Sequence, residues 1–138
     1  MDSRQFALLA KHAVNEVVEQ LIKSLRTPHT IPRRTAAKTP LDDSLSSWLE
    51  AQSRVQQQRS EWFSRLAEDD QDVVAAILQE CAELSASSLF ALIDGVAGDY
   101  KGVFEIVAVS AGQRTVINPE NTEMLHDVFA EVCADDRQ

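Results

Sequence analysis

All but one of the residues that stop helices fall in two places in this chain. All four glycines, Gly95, Gly98, Gly102 and Gly112, fall within "LIDGVAGDYKGVFEIVAVSAG", Leu92 to Gly112. Three of the four prolines, Pro28, Pro32 and Pro40, fall within "RTPHTIPRRTAAKTP", Arg26 to Pro40. Glycine frees the backbone and proline removes a donor and clashes with the preceding turn, so these stretches must interrupt regular structure. Outside them only Pro119 remains, and long helices are allowed. With aromatics also scarce, the pattern argues against an all-β sandwich, which needs many turns.

Apolar spacing fills the permitted stretches. In residues 3–25, Phe6, Leu9, Ala13, Val14, Val17, Leu21, Ile22 and Leu25 recur every three or four positions, and Asp2 or Ser3 can cap the start. Leu8 and Val18 widen the stripe, so neighbours on more than one side are expected. Residues 26–41 read as a Pro-rich basic linker carrying Arg26, Arg33, Arg34 and Lys38. A second helix is expected over 42–67. Its seam runs Leu45, Trp48, Leu49, Gln52, Val55, Arg59, Trp62, Phe63 and Leu66, with Trp48 as the anchor at one end and the Trp62–Phe63 pair at the other. A third helix follows "AEDDQD". Its face of Val73, Val74, Ile77, Leu78, Cys81, Leu84, Leu89 and Leu92, filled in by alanines and serines, marks it as the expected central and most buried helix.

Gly95 is placed to end that helix in the left-handed conformation. Val103–Val109 and Arg114–Ile117 then read as two strands joined at "SAGQ", with Gly112 supplying a positive φ. Asn118 and Pro119 are expected to open a closing helix with Met124, Leu125, Val128, Phe129 and Val132 inside. The expected fold is α+β, mainly α: three amphipathic helices, a C-terminal antiparallel hairpin and a closing helix. It is divided into a helix over 1–25, the linker over 26–41 and a globular part over 42–134, making one domain overall.

Searches for chemistry return little. From Gly95, a P-loop needs its second glycine where Tyr100 stands, and the dinucleotide fingerprint needs different glycine spacings after a strand. Asp94 and Asp99 are too far apart, with no oxygen ligand between, for a calcium loop. His12, His29 and His126 have no nucleophile context, and Glu123-Met-Leu-His126 is one ExxH pair without the second that a carboxylate-bridged metal bundle requires. Cys81 and Cys133 are far apart and give no metal signal. No catalytic residue, cofactor or metal is therefore assigned.

The C-terminal half carries a pattern. "LIDGV" at Leu92–Val96, "FEI" at Phe104–Ile106, "RTVIN" at Arg114–Asn118 and "LHDVF" at Leu125–Phe129 resemble a family of small uncharacterised bacterial cytosolic proteins. In these a helix ends in Leu-Asp-Gly, a hairpin follows and a Leu-His-Asp-Leu-Phe helix closes the chain. The likeness covers roughly residues 62–132. It implies that Asp94–Gly95 and His126–Asp127 belong to one packed unit, with His126 bonding a backbone carbonyl at the hairpin end.

Charge points to the partner. Residues 1–60 carry nine basic and six acidic groups, and residues 61–138 carry four and sixteen, for a net charge of −9. Acidic surfaces repel phosphates and anionic lipids, so nucleic acid and membrane are disfavoured and a basic protein is favoured. With no signal peptide visible, a cytoplasmic location is expected. The leading expectation is a non-enzymatic protein-binding module, like bacterial immunity or toxin-neutralising proteins in general character. Glu68, Asp69, Asp70, Asp72, Asp94, Asp99 and Tyr100 are expected to face the partner. A homo-oligomeric structural or regulatory protein is the second reading, with a homodimer as its form. A ligand-binding protein or enzyme with a site near Asp94 and His126 is the third.

Overall fold

Asp2 starts the first helix by a reciprocal cap. Its carboxylate accepts from the Gln5 backbone N–H at 2.8 Å, and the Gln5 side chain accepts from the Asp2 backbone N–H at 3.1 Å, satisfying donors a helix start otherwise leaves free. The computed structural model describes residues 1–29, 40–99, 102, 104–119 and 122–135, with backbone only for 40–43. Over these it has four helices, α1 (Ser3–Arg26), α2 (Pro40–Phe63), α3 (Glu68–Ile93) and α4 (Leu125–Asp135). Between α3 and α4 lies one antiparallel hairpin, β1 (Val107–Ser110) and β2 (Gln113–Val116). The α+β, mainly α architecture expected from the sequence is the one observed. The linker, where it covers residues 30–39, and the strand start at Val103 lie outside the described residues.

The chain forms two compact units, Met1–Val18 with Ile77–Gln138, and Glu19–Ala76. They cut across the expected division. The first turns of α1 belong with the C-terminal half, and the boundaries fall inside α1 and α3.

In the first unit the core gathers around α4. Leu125, Val128, Phe129, Val132 and Cys133 are buried with Ala7, Phe90 and Ile117. Phe90 meets Phe129 edge-on, with centroids 5.1 Å apart, and Phe6 meets Phe90 at 5.8 Å, geometry that matches positive ring edges to negative faces. Polar bonds tie the chain ends to this core. Lys11 is buried and its Nζ donates to the Val132 carbonyl at 2.8 Å, near the negative end of α4. Ser3 Oγ donates to the Ile117 carbonyl at 2.6 Å. Arg4 pairs with Glu131 at 3.2 Å and Asp135 at 3.3 Å, and the hydrogen bond and charge of Glu131, its main partner, hold the guanidinium more firmly protonated.

In the second unit Leu25 and Phe63 are buried, and Gln56 Nε2 donates to Ser24 Oγ at 2.7 Å. Of the expected seam of α2, Phe63 is buried as expected, but most of the rest is turned outward. Ser53 and Ser60 face inward, while Leu45, Trp48, Leu49, Val55 and Trp62 are exposed. Helix α3 is likewise not the most buried helix. Phe90 is its one buried residue, and Val73, Ile77, Leu84, Leu89 and Leu92 are exposed, as is Cys81. Serine and alanine let another backbone approach closely, whereas Trp and Leu hold it off. The inward sides also carry one aromatic each, Phe63 in α2 and Phe90 in α3.

Two loops follow local backbone rules. Gly95, at φ 73°, ends α3 in a Schellman motif: Val96 N–H donates to the Ala91 carbonyl and Gly95 N–H to that of Leu92. The hairpin turn is Ala111–Gly112, with φ of 49° and 79°, between the paired Ser110 and Gln113. Both residues are left-handed, as a type I′ turn requires. Gly112 adopts this without strain, but the Cβ of Ala111 crowds its neighbouring carbonyl. Ala111→Asn is expected to stabilise the protein by about 0.5–1 kcal/mol, read as a higher urea midpoint at unchanged slope.

Asn118 does not open the closing helix. It clamps the base of the hairpin: its Oδ1 accepts from Ile106 N–H at 2.7 Å and its Nδ2 donates to the Phe104 carbonyl at 2.8 Å. Ile117 N–H adds a bond to the Ile106 carbonyl at 2.8 Å. The chain then runs on to Leu125 before α4 begins.

Candidate interaction surface

The cap of α4 comes from Asp94, more than thirty residues earlier in the chain. The Met124 carbonyl accepts the first turn's N–H groups from Asp127 and Val128, and Asp94 Oδ2 accepts from the backbone N–H of His126 at 3.0 Å. The same oxygen lies 2.8 Å from His126 Nδ1. One carboxylate thus satisfies a helix-start donor and fixes the imidazole, which requires the proton on Nδ1. The Asp94 side chain is 5% exposed and that of His126 is 23% exposed.

This corrects two expectations. Asp94 is not available to a partner, because its carboxylate is turned inward to α4. His126 bonds a carboxylate rather than a backbone carbonyl. An Asp–His pair can orient a general base when the far nitrogen meets a nucleophile. Here Nε2 is 3.4 Å from the exposed carboxylate of Asp127, not against a serine or cysteine. The arrangement holds the end of α3 to the start of α4.

The other expected contact residues are dispersed. Glu68, Asp69 and Asp70 are exposed in the first turn of α3, where they complement the positive end of the helix. Asp72 is exposed and pairs with Arg26 at 3.4 Å within the second unit. Asp99 is exposed in the loop after α3, and Tyr100 lies outside the described residues. Glu68, Asp69, Asp70 and Asp72 belong to the second unit, and Asp94 and Asp99 to the first. Among the described residues, no three His, Cys, Asp or Glu side chains are grouped closely enough to hold a metal ion.

A different surface stands out in the first unit. Along α3, Ile77, Cys81, Leu84, Ser88 and Leu92 follow one another at spacings of three and four, all exposed, with Leu89 beside them. Leu84 is 60% exposed. The stripe borders a groove of about 200 Å³ between α3 and α4, lined by Glu80, Glu83, Leu84, Ser87, Phe129 and Cys133 among others. Its floor is apolar and two carboxylates stand on its α3 side. Gln79 positions one of them, donating from Nε2 to Glu83 Oε1 at 2.8 Å and to Asn15 Oδ1 at 2.8 Å.

By length and composition α3 could also cross a bilayer. Glu80 and Glu83 lie near its middle, where a charge in hydrocarbon is costly. Nothing in the sequence sets Glu80 and Glu83 apart from the chain's other acidic residues. The groove needs α4 beside α3, and nothing local to either helix announces it. The chain was compared with family models, with curated proteins and with solved structures, and it matches none.

Proposed function

We propose that the chain is a non-enzymatic protein-binding module, and that its first unit takes a basic amphipathic helix of another protein along α3. The supporting observation is the exposed apolar stripe of α3 beside a groove with an apolar floor and two carboxylates. Contiguous exposed apolar surface is a mark of an interaction site. At about 200 Å³, the groove is smaller than the roughly 300–1,000 Å³ of small-molecule sites, and it suits an inserted side chain better than a metabolite.

Charge selects the partner's sign. The first unit, Met1–Val18 with Ile77–Gln138, holds thirteen acidic and five basic residues. A partner with leucines on one helical face and lysines flanking them satisfies both features, in the helix-in-groove mode. Masking of a basic toxin surface by a cytoplasmic immunity protein is one biological form of such binding.

A fluorescein-labelled helical peptide, with leucines at i, i+3, i+4 and i+7 and lysines alongside, tests this by anisotropy. Saturable binding that weakens with salt is expected. Glu80→Lys combined with Leu84→Asp should weaken it about tenfold or more. Absence of saturable binding, unchanged affinity in the double variant, or partition of the protein into uncharged lipid vesicles instead would each refute the reading.

A further inference from the structure

The exposed seam of α2 lies in the second unit, and its residues keep strict coiled-coil spacing. Leu45, Trp48, Gln52, Val55, Arg59 and Trp62 are separated by three, four, three, four and three positions. These are the a and d places of successive heptads, where a partner helix is expected. All six are exposed, with Trp48 at 57% and Trp62 at 52%. The inward side of the same helix is filled by Ser53, Ser60 and Phe63. The helix therefore has one packed side and one seam left exposed among the described residues.

We infer that this seam is covered by α2 of a second copy of the chain, running antiparallel to it. Three features select that occupant. The first is charge. The first unit has an excess of eight acidic residues, whereas the second, Glu19–Ala76, holds eight basic and nine acidic ones. Two copies meet at least electrostatic cost through the near-neutral unit.

The second is the order of the seam, in which an aromatic and apolar pair of positions at one end is matched by Trp62 at the other, with polar Gln52 and Arg59 between. An antiparallel pair joins a positions to d positions. Leu45 then meets Trp62 of the other copy, Gln52 meets Val55, and Trp48 meets Arg59, each twice by symmetry. The Trp48–Arg59 layer places a guanidinium over an indole face, a favourable cation–π contact.

The third is what the alternative would cost. A parallel, in-register pair stacks Arg59 on Arg59 within the seam, a like-charge contact without a neutralising partner there. The polar positions thus set orientation and register, as polar a residues do in coiled coils. In this register α2 overlaps its counterpart from Ser44 to Phe63.

Sedimentation equilibrium of the full chain tests the association. A concentration-dependent rise from 15.3 kDa towards twice that mass is expected. Trp48→Ala should raise the dissociation constant roughly 30-fold, as loss of a central aromatic anchor does, with the far-UV circular dichroism of the monomer unchanged. Orientation is read by cross-linking in a Cys81→Ser background. Chains with Gln52→Cys mixed with chains with Val55→Cys should form a disulfide-linked pair under mild oxidation, and more of it than Val55→Cys alone. A monomer at every concentration overturns the inference, as does a dimer indifferent to Trp48→Ala. Preferential cross-linking of Val55→Cys to itself overturns the antiparallel arrangement. None of these outcomes depends on the groove of α3 and α4, whose peptide binding is measured separately.

Discussion

Replacing Phe129 by alanine is expected to cost about 3–5 kcal/mol of stability, the range for truncating a buried aromatic in a packed core. Phe129 is 1% exposed and lies edge-on to Phe90, which in turn meets Phe6. Its ring is the link between α4, α3 and the first turns of α1 in the first unit. Truncation removes the transfer energy of the ring, leaves a cavity and takes away one aromatic pair. Against a total stability of roughly 5–15 kcal/mol for a domain of this kind, the loss is enough to leave the first unit partly unfolded at room temperature. Urea unfolding followed by far-UV circular dichroism measures it, because both tryptophans, Trp48 and Trp62, lie in the second unit and would report on that unit instead. Leu84→Ala is the matched control. It sits on an equally apolar sequence stripe, but its side chain is in solvent, and a change within about 0.5 kcal/mol is expected. Equal costs at the two positions would contradict the observed sidedness of α3.

Asp94→Ala is the second large effect, at about 2–4 kcal/mol. Loss of a helix cap contributes about 0.5–2 kcal/mol, and loss of a hydrogen bond to a charged group about 1.5–3 kcal/mol. Both are lost together here, since one oxygen of Asp94 accepts from the backbone N–H and from Nδ1 of His126. The two terms share that oxygen, so their sum is an upper bound rather than the expectation. Asp94→Asn keeps an acceptor for the N–H but loses the charge, and should cost about half as much. The local signature is faster amide hydrogen exchange at His126, beyond what the global loss explains. If Asp94 were a partner-contact residue, as its place beside Gly95 in the sequence suggests, Asp94→Ala would leave stability within about 0.5 kcal/mol and reduce binding instead. Stability and peptide binding measured on one variant separate the two roles.

The third proposed site, at Asp94 and His126, was legible as a pair of residues but not as a function. The resemblance carried by "LIDGV" and "LHDVF" implied that Asp94 and His126 share one packed unit, and the structure places His126 Nδ1 2.8 Å from Asp94 Oδ2. Sequence could not say that the carboxylate would serve a helix start across the hairpin. Asn118 is the parallel case. An Asn before a Pro and two acids reads as a cap, yet its amide makes two bonds to the backbone of residues 104 and 106. In both, a side chain with strong local preferences was used over a long sequence separation. Short-range rules carry no term for which distant backbone group arrives nearby.

What the sequence alone determined is what depends on neighbours within a few residues. Gly95 stops α3 because a left-handed residue is needed there, Gly112 turns the hairpin, Asp2 and Gln5 start α1, and the 3.6-residue periodicity makes long helices of what lies between. Tertiary structure decided which side of each helix faces inward. On both α2 and α3 most large apolar residues of the periodic seam are exposed, while one aromatic of each, Phe63 and Phe90, is buried. Burial of any of these side chains would be favourable on transfer energy alone, at about 25 cal/mol per Å². Which of them is buried depends on where a neighbouring element covers the helix, and in α2 that covered side holds Ser53 and Ser60 beside Phe63. That is a property of the neighbouring element's shape, which appears only when the chain is folded, and it leaves Trp48, Trp62 and Leu84 on the surface.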